Sequence, residues 1–367
     1  MGKTSIEWTD ATWNPVRARN LATGGIGHFC THVSEGCRNC YAERLQRRFR
    51  NPVRYAPQDR AKVEIFLDEK TLTQPLRWKK PRMIFPGSMT DLFGDFVTDD
   101  TIDRIFAVMA LCRQHTFQVL TKRPERMRDY VSEIDRPVWI MERMMQIDPN
   151  YARNNPCAHN GRDGDEPWAP IHNVWLGVSV EDQKTADERI PLLLDTPAAI
   201  RFISAEPLLG PIDLHPKADD TYQQLSNWYG PDGFDPTGSQ PTITRLGHYF
   251  PRLDWVIAGG ESGPGARPSH PDWFRSLRDQ CAAAGTAFLF KQWGEYLPVL
   301  DRDNDDPDWR ADYVREFGHT GKRRWLNFAG GMGFHGEKFH VMERVGKKRA
   351  GRLLDGVKHD AFPQVIL

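Results

Sequence analysis

The chain has 367 residues, enough for one large α/β domain or two modest ones, and its 49 Lys and Arg balance its 49 Asp and Glu. Hydrophobic content of 39% and charged content of 27% are ordinary for a globular protein. No run approaches the roughly 18 apolar residues of a membrane span, and MGKTSIEWTD lacks the apolar core of a signal peptide, so no membrane partner is expected and the expected compartment is the cytoplasm.

The first element with chemistry in it is CTHVSEGCRNCYAER, with Cys30, Cys37 and Cys40 inside eleven residues. The closing C-x2-C turn can aim two thiolates at one centre, and the six-residue loop before it can swing in a third. Three thiolates leave one coordination position open. On zinc that position needs another ligand or a water; on a four-iron cluster it leaves one iron free for a substrate or cofactor. Six cysteines at this length are no disulfide scaffold. Cys112 and Cys281 lie in helix-like apolar patterns and read as small buried side chains, and Cys157 stands apart.

Beyond the cysteines, short apolar runs alternate with helical patterns. The predicted strands are KVEIFL (62–67), MIF (83–85), FQVL (117–120), VWLGV (174–178), IRFI (200–203), WVIAG (255–259) and AFLF (287–290). The predicted helices are 99–114, 181–194 and 270–284. Strand then helix, repeated, argues for a parallel sheet covered by helices, in an open, partly closed or fully closed barrel. Residues 136–172 and 216–250 break the rhythm and read as loop insertions in a barrel domain spanning 1–296. Residues 297–367 read as a C-terminal extension packing on it.

Nearly every predicted strand ends in polar residues: Ser88, Thr90 and Asp91; Thr121, Lys122 and Arg123; Ser179, Glu181 and Asp182; Ser204 and Glu206; Glu261, Ser262 and Arg267; Lys291, Gln292 and Glu295. Parallel α/β folds bind ligands at the shared C-terminal face of their strands, so this convergence predicts an active site there. Helix caps account for some of these residues but not for lysines at the ends of apolar strands. GGESGPGAR (259–267) matches no phosphate-loop pattern, and its glycines allow close backbone approach to a ligand. Residues 38–62 carry eight Lys and Arg, and residues 321–352 carry nine. Both segments are candidates for phosphate contact or simply solvated faces.

WTDATWNPV, the C-x6-C-x2-C-YAER loop, SMTDLFG, FQVLTKRPERM, VWLGVSVEDQ, RFISAEPLLGPI, WVIAGGESGPGARP and FKQWGE together resemble the phage- and mobile-element-associated three-Cys-motif proteins of unknown function. The resemblance runs from about residue 4 to 295, with an echo at 346–356. That family in turn resembles the radical S-adenosylmethionine (SAM) enzymes, most nearly the spore photoproduct lyase group. The resemblance implies a TIM-barrel-like partial (β/α) barrel and a [4Fe-4S] cluster on Cys30, Cys37 and Cys40. It implies SAM cleaved to a 5′-deoxyadenosyl radical by an external electron donor. Asp91 would lie near the SAM ribose, Lys122 and Ser179 would hold the aminocarboxylate, and Glu206 would join the cofactor-binding set. The chain departs from the radical-SAM pattern in its first cysteine gap, six residues for three, and in Asn39, where an aromatic is usual before the third cysteine. The stretch at 16–29 is also longer than the family norm.

The implied substrate is a nucleic acid or nucleotide, in base modification or repair. The alternative is a zinc-stabilised nucleic-acid-binding protein without catalysis, its fourth ligand His28, His32 or Cys157. The tryptophans, Trp8, Trp13, Trp78 and Trp293 among them, read as core.

Overall fold

The computed structural model describes residues 4–46, 53–151, 171–214, 252–299, 322–332 and 338–364. Strand β1 (Ala11–Trp13) is followed by the hairpin β2 (Val16–Asn20) and β3 (Ile26–Gly27), then by β4 (Val63–Leu67). Next come β5 (Met83–Pro86), β6 (Thr116–Thr121), β7 (Val174–Ser179), β8 (Arg201–Ala205), β9 (Trp255–Gly259) and β10 (Ala287–Gln292). Strands β11 (Tyr296–Pro298), β12 (Arg323–Asn327) and β13 (Phe339–Arg344) close the series. The helices are α1 (Tyr41–Gln46), α2 (Glu69–Leu72), α3 (Asp99–Leu111), α4 (Pro124–Ser132), α5 (Arg136–Ile147), α6 (Gln183–Leu194), α7 (Pro271–Ala284) and α8 (Lys347–Ala350).

Seven strands form one all-parallel sheet in the order β1-β5-β6-β7-β8-β9-β10. Spatial order follows chain order throughout, the arrangement of a (β/α) barrel. Among the described residues β1 and β10 do not pair, so the sheet is an open half-barrel and the fully closed alternative is not observed. Six of the seven predicted strands lie in it. The seventh, KVEIFL, is β4, and it pairs antiparallel with β2 in a separate sheet ordered β3-β2-β4. Its place in the parallel sheet belongs to β1, whose three residues are too few to show a period and which is fixed by its register on β5.

The covering helices carry their own start and stop signals. Thr98 caps α3, accepting from the Thr101 amide at 3.3 Å, with Asp99 and Asp100 in the first turn facing the positive end of the helix dipole. Ile102, Ile105, Phe106 and Met109 then form its buried stripe. A reciprocal capping box between Asp182 and Thr185 opens α6. Pro271 opens α7, and Gly285, at φ 65°, ends it.

The stretch predicted as a loop insertion at 136–172 begins instead as a helix, α5, packed on α3. Buried Arg136 fastens it, pairing with Asp103 at 3.0 Å and Asp99 at 3.1 Å while its guanidinium lies 3.9 Å from the centre of the Tyr130 ring. Residues 152–170 and the predicted insertion at 216–250 lie outside the described residues. The C-terminal part contributes a three-stranded antiparallel sheet, β11-β13-β12, whose Leu326 and Met342 join the main core. Farther on, residues 359–361 run antiparallel along the free side of β10. The Phe290 amide donates to the His359 carbonyl at 3.0 Å, and the Ala361 amide donates to the Phe288 carbonyl at 3.2 Å.

Strand periodicity divides the parallel sheet into two faces. One face, with Ile84, Phe117, Val119, Leu176, Val178, Ile203, Val256, Ala258 and Phe290, belongs to the main core. The other changes character along its length. Towards the strand N-termini it carries Phe85, Trp175, Phe202, Trp255 and Leu289, packed with Trp8 as a separate aromatic cluster. Trp255 lies 5.9 Å from Trp175 and 5.8 Å from Phe202 between ring centres, and Trp8 lies 4.8 Å from Phe85. Two to four residues further along the same face come Lys122, Ser179, Ser204 and Lys291. Trp8, Trp13 and Trp293 are buried, in line with the core reading, and Trp78 packs on the core from a partly exposed position.

Candidate metal centre

The chain leaves β1, makes the β2–β3 hairpin and delivers the cysteine loop beside the polar ends of the strands. A ring of specific contacts seats that loop. Glu261, after β9, accepts from Asn39 at 3.1 Å and from the Arg267 amide and Nε at 2.8 and 2.9 Å through one oxygen. Its other oxygen accepts from Arg267 at 2.8 Å. Arg267 also donates to the Glu35 carbonyl at 3.0 Å and to its carboxylate at 3.2 Å. Asn39 donates to the Gly265 carbonyl at 2.9 Å, and Arg44 donates to Pro264 at 3.1 Å. GGESGPGAR is therefore the bed of the cysteine loop. Its glycines permit close approach on both sides: Gly263 has φ +95°, a Cβ there would lie 2.6 Å from an Arg44 nitrogen, one on Gly265 would lie 3.0 Å from Asn39, and one on Gly259 would lie 2.6 Å from a Glu206 oxygen. The same glycine donates to Glu295 at 3.0 Å and accepts from Arg344 at 3.0 Å, so the C-terminal sheet braces the bed from behind.

Cys30, Cys37 and Cys40 are all free and partly exposed, and Cys40 is near enough to Cys30 and to Cys37 for their charges to be felt. Burial pushes the free Cys30 thiol up to about 12, with the Asp91 charge adding to the rise. Against this act the Arg123 guanidinium and the Asp91 backbone N–H. Burial raises Cys40 as well, opposed by the backbone N–H groups of Glu43 and Ala42 at the start of α1. Each of these two sulfurs thus faces donors ready for a thiolate once a bound cation displaces the proton. Among the described residues the three sulfurs do not gather into a compact single-ion group. His28 is buried, its Nδ1 is 3.1 Å from the Val16 carbonyl, and burial together with the Arg17 charge lowers its pKa to about 4. His32 pairs with Glu43 at 3.0 Å. One ring nitrogen of each candidate fourth ligand for zinc thus has a protein partner, and Cys157 lies outside the described residues.

Charged pairs stand at the strand ends next to this loop. Lys122 pairs with Glu181, which is 1% exposed, accepts from Ser34 of the cysteine loop at 3.1 Å and lies 3.3 Å from Arg189. Gly36 makes room for that carboxylate, since a Cβ there would lie 2.3 Å from its oxygen. Lys291 pairs with Glu206 at 3.0 Å, and Ser204 donates to the other Glu206 oxygen at 3.1 Å. Tyr41 donates to the Ser88 carbonyl at 2.5 Å. Burial strongly raises its hydroxyl pKa, and the charge of Cys40 and then of Glu206 raises it further. Tyr41 is 47% exposed by surface area, so its ring edge remains accessible beside the cysteine loop.

The structure thus brings Cys30, Cys37, Cys40, Lys122 and Glu206 to one end of the sheet, with Ser179 buried among them on β7. Asp91 is there too, fully committed. It accepts from the Phe93 amide at 3.0 Å, Thr121 at 2.7 Å, the Lys122 amide at 3.0 Å and Arg123 at 2.9 Å. Arg123 in turn holds the Thr31 carbonyl and hydroxyl, so Asp91 positions the segment next to Cys30. Asn39, Arg189 and Tyr41 are contributors that motif reading missed. Only the placement of Tyr41 directly after the third cysteine hinted at one of them. Several basic residues of the two candidate segments are spent internally: Lys62 on Asp59, Arg323 on Glu343, and Arg344 on Glu295.

No curated protein and no solved structure matches the chain. Residues 3–363 match the family described as "Protein of unknown function (DUF5131)". The match covers almost the whole chain, barrel, cysteine loop and C-terminal sheet alike, and the chain belongs to that family.

Proposed function

We propose that the protein is an iron–sulfur enzyme of the radical-SAM kind. The observation that carries the reading is the seating of Cys30, Cys37 and Cys40 at the strand C-termini of a parallel half-barrel, beside paired lysines and carboxylates. A [4Fe-4S] cluster on these three cysteines would supply an open iron for SAM and, with an external electron donor, its reductive cleavage to a 5′-deoxyadenosyl radical. The chain's own residues do the rest. Arg123 and the N–H groups of Asp91, Ala42 and Glu43 favour the thiolate forms of Cys30 and Cys40. Lys122 and Lys291 stand at the strand ends, available to an aminocarboxylate or phosphate that competes with Glu181 or Glu206. Tyr41 and Ser179 line or border the same end of the sheet, and Asp91 fixes the cysteine segment through Arg123.

A nucleotide or nucleic-acid substrate fits the exposed Lys348 and Arg349 of α8 and the phage association of the three-Cys-motif proteins. The test is anaerobic reconstitution with iron and sulfide, followed by EPR of the reduced protein with and without SAM. A reduced four-iron signal that changes on adding SAM, and is lost in Cys30→Ala, Cys37→Ala or Cys40→Ala, is the expected result. A protein that takes up one zinc ion and forms no cluster overturns the reading.

A further inference from the structure

One buried ion pair stands directly behind a cysteine sulfur. Asp91 follows β5 in SMTD and Arg123 follows β6 in LTKR. Their carboxylate and guanidinium meet at 2.9 Å, with only 9% and 14% of the two side chains exposed. Thr121 and the amides of Phe93 and Lys122 hold the same carboxylate in place. On its far side the guanidinium donates to the Thr31 carbonyl at 3.1 Å, and the Cys30 thiol lies 3.7 Å from that same oxygen. Guanidinium and sulfur therefore flank one acceptor atom, and the carboxylate lies just behind them.

Both charges act on the sulfur, with opposite sign. After burial, the Asp91 charge is the next cause that raises the Cys30 thiol, and Arg123 and the Asp91 backbone N–H oppose it. The influence is mutual. Burial alone would lower the Arg123 pKa, and the charges of Asp91 and then of Cys30 outweigh it and raise it. So little water reaches the pair that each charge is weakly screened. Removing one member leaves the other uncompensated beside Cys30. A cluster that accepts an electron gains one negative charge, which a neighbouring cation favours and a neighbouring anion opposes.

We infer that Asp91 and Arg123 are positioning residues that set the charge balance at Cys30 and, through it, the reduction potential of the metal centre. The carboxylate lowers that potential and the guanidinium raises it. This inference rests on the reading of the cysteine loop as an iron–sulfur site. The electron comes from the external donor, and neither residue changes its own oxidation state. A purely structural pair would behave differently: loss of either member would loosen the grip on Thr31 and disturb the centre in the same direction.

The test is a reductive titration of the full-length protein reconstituted with iron and sulfide, the EPR signal of the reduced cluster being read against solution potential. The midpoint should move to lower potential in Arg123→Gln and to higher potential in Asp91→Asn. Arg123→Lys, which keeps the charge and loses the fork on Thr31, should stay nearest the parent. Shifts in the same direction, or none in either variant, overturn the inference and leave the cluster reading standing. If Arg123→Gln does not load, Asp91→Asn decides: a higher midpoint supports the inference, and an unchanged or lower one overturns it. If the parent itself forms no cluster, the cluster reading has failed, and the same variants are compared with cobalt(II) alone. The thiolate-to-cobalt absorption should then move to longer wavelength in Arg123→Gln and to shorter wavelength in Asp91→Asn. An unmoved band, or no cobalt uptake, overturns the inference as well.

Discussion

The two ends of the non-helical face of the parallel sheet are built from the same strands, two to four residues apart, and are chemical opposites. At the lower end Trp175, Phe202, Trp255 and Leu289 meet Trp8 in a layer without a charge. At the upper end the next positions on that face are Ser179, Ser204 and Lys291, and beyond them Glu181 and Glu206. The lower layer works chiefly by apolar burial, with Gln118 donating to the Trp8 carbonyl at 2.9 Å at its edge. The upper layer keeps its charges only because each has a partner: Lys122 with Glu181, Lys291 with Glu206. The contrast teaches that this face divides its labour, with rigidity at one end and an exchangeable polar surface at the other.

The comparison can be broken at either end. Trp255→Ala removes a wholly buried indole and the hydrogen bond it makes to Ala361 at 2.9 Å. It should cost about 3–5 kcal/mol in urea unfolding while leaving the iron-binding capacity of the folded fraction intact. A loss below about 1 kcal/mol would mean that the aromatic layer is not the base of the fold. Next in size is Arg267→Ala, which strands Glu261 with Asn39 and frees Glu35. A stability loss of about 2–4 kcal/mol is expected, together with clearly reduced iron and sulfide after reconstitution. Full loading in this variant would show that the bed does not matter to the cysteines.

The two lysines sharpen the picture. Lys291→Met leaves Glu206 with Ser204 alone, whereas Lys122→Met leaves Glu181 with Arg189 and Ser34. The first should cost about 1–3 kcal/mol and the second less, measured side by side by thermal unfolding. The reverse order would show that Arg189 and Ser34 do not compensate Glu181 for the lost lysine. The smallest effect is one of pH. Burial alone would raise the pKa of Glu261, but the Arg267 and Asn39 hydrogen bonds outweigh it and hold the pKa below the ordinary value of 4.5. Its contribution is therefore fully present above that value and is lost as pH falls through the lower folded-state pKa. The melting-temperature gap between the protein and Glu261→Gln should stay constant from about pH 8 to about pH 5 and shrink under more acid conditions. A gap independent of acid would remove Glu261 as the anchor.

Much of this was legible in the sequence, because strand–helix alternation and polar strand ends are local patterns. Six runs went to the parallel sheet, and the three cysteines went to the polar, C-terminal end of its strands. What escaped was decided by pairing rather than by pattern. ATW is too short to display a period, and KVEIFL has the composition of a core strand although its partner, β2, lies in another sheet. The glycines of 259–267 announced close approach without saying to what, and the answer was another loop of the same chain. Resemblance names Asp91 beside a cofactor, and Thr121, Lys122 and Arg123 are named as ends of the next strand, but that these residues hydrogen-bond one another is a matter of strand register that no local pattern states.

The short segment 359–361 alongside β10 has a consequence for how the molecule behaves among its own copies. An open parallel sheet ends in strands whose backbone groups are free to recruit another chain. Here the protein recruits itself: His359 and Ala361 occupy that side of β10. A chain cut after Arg352 would lose this cover and the Trp255 tether together, and should self-associate through β10 in proportion to its concentration.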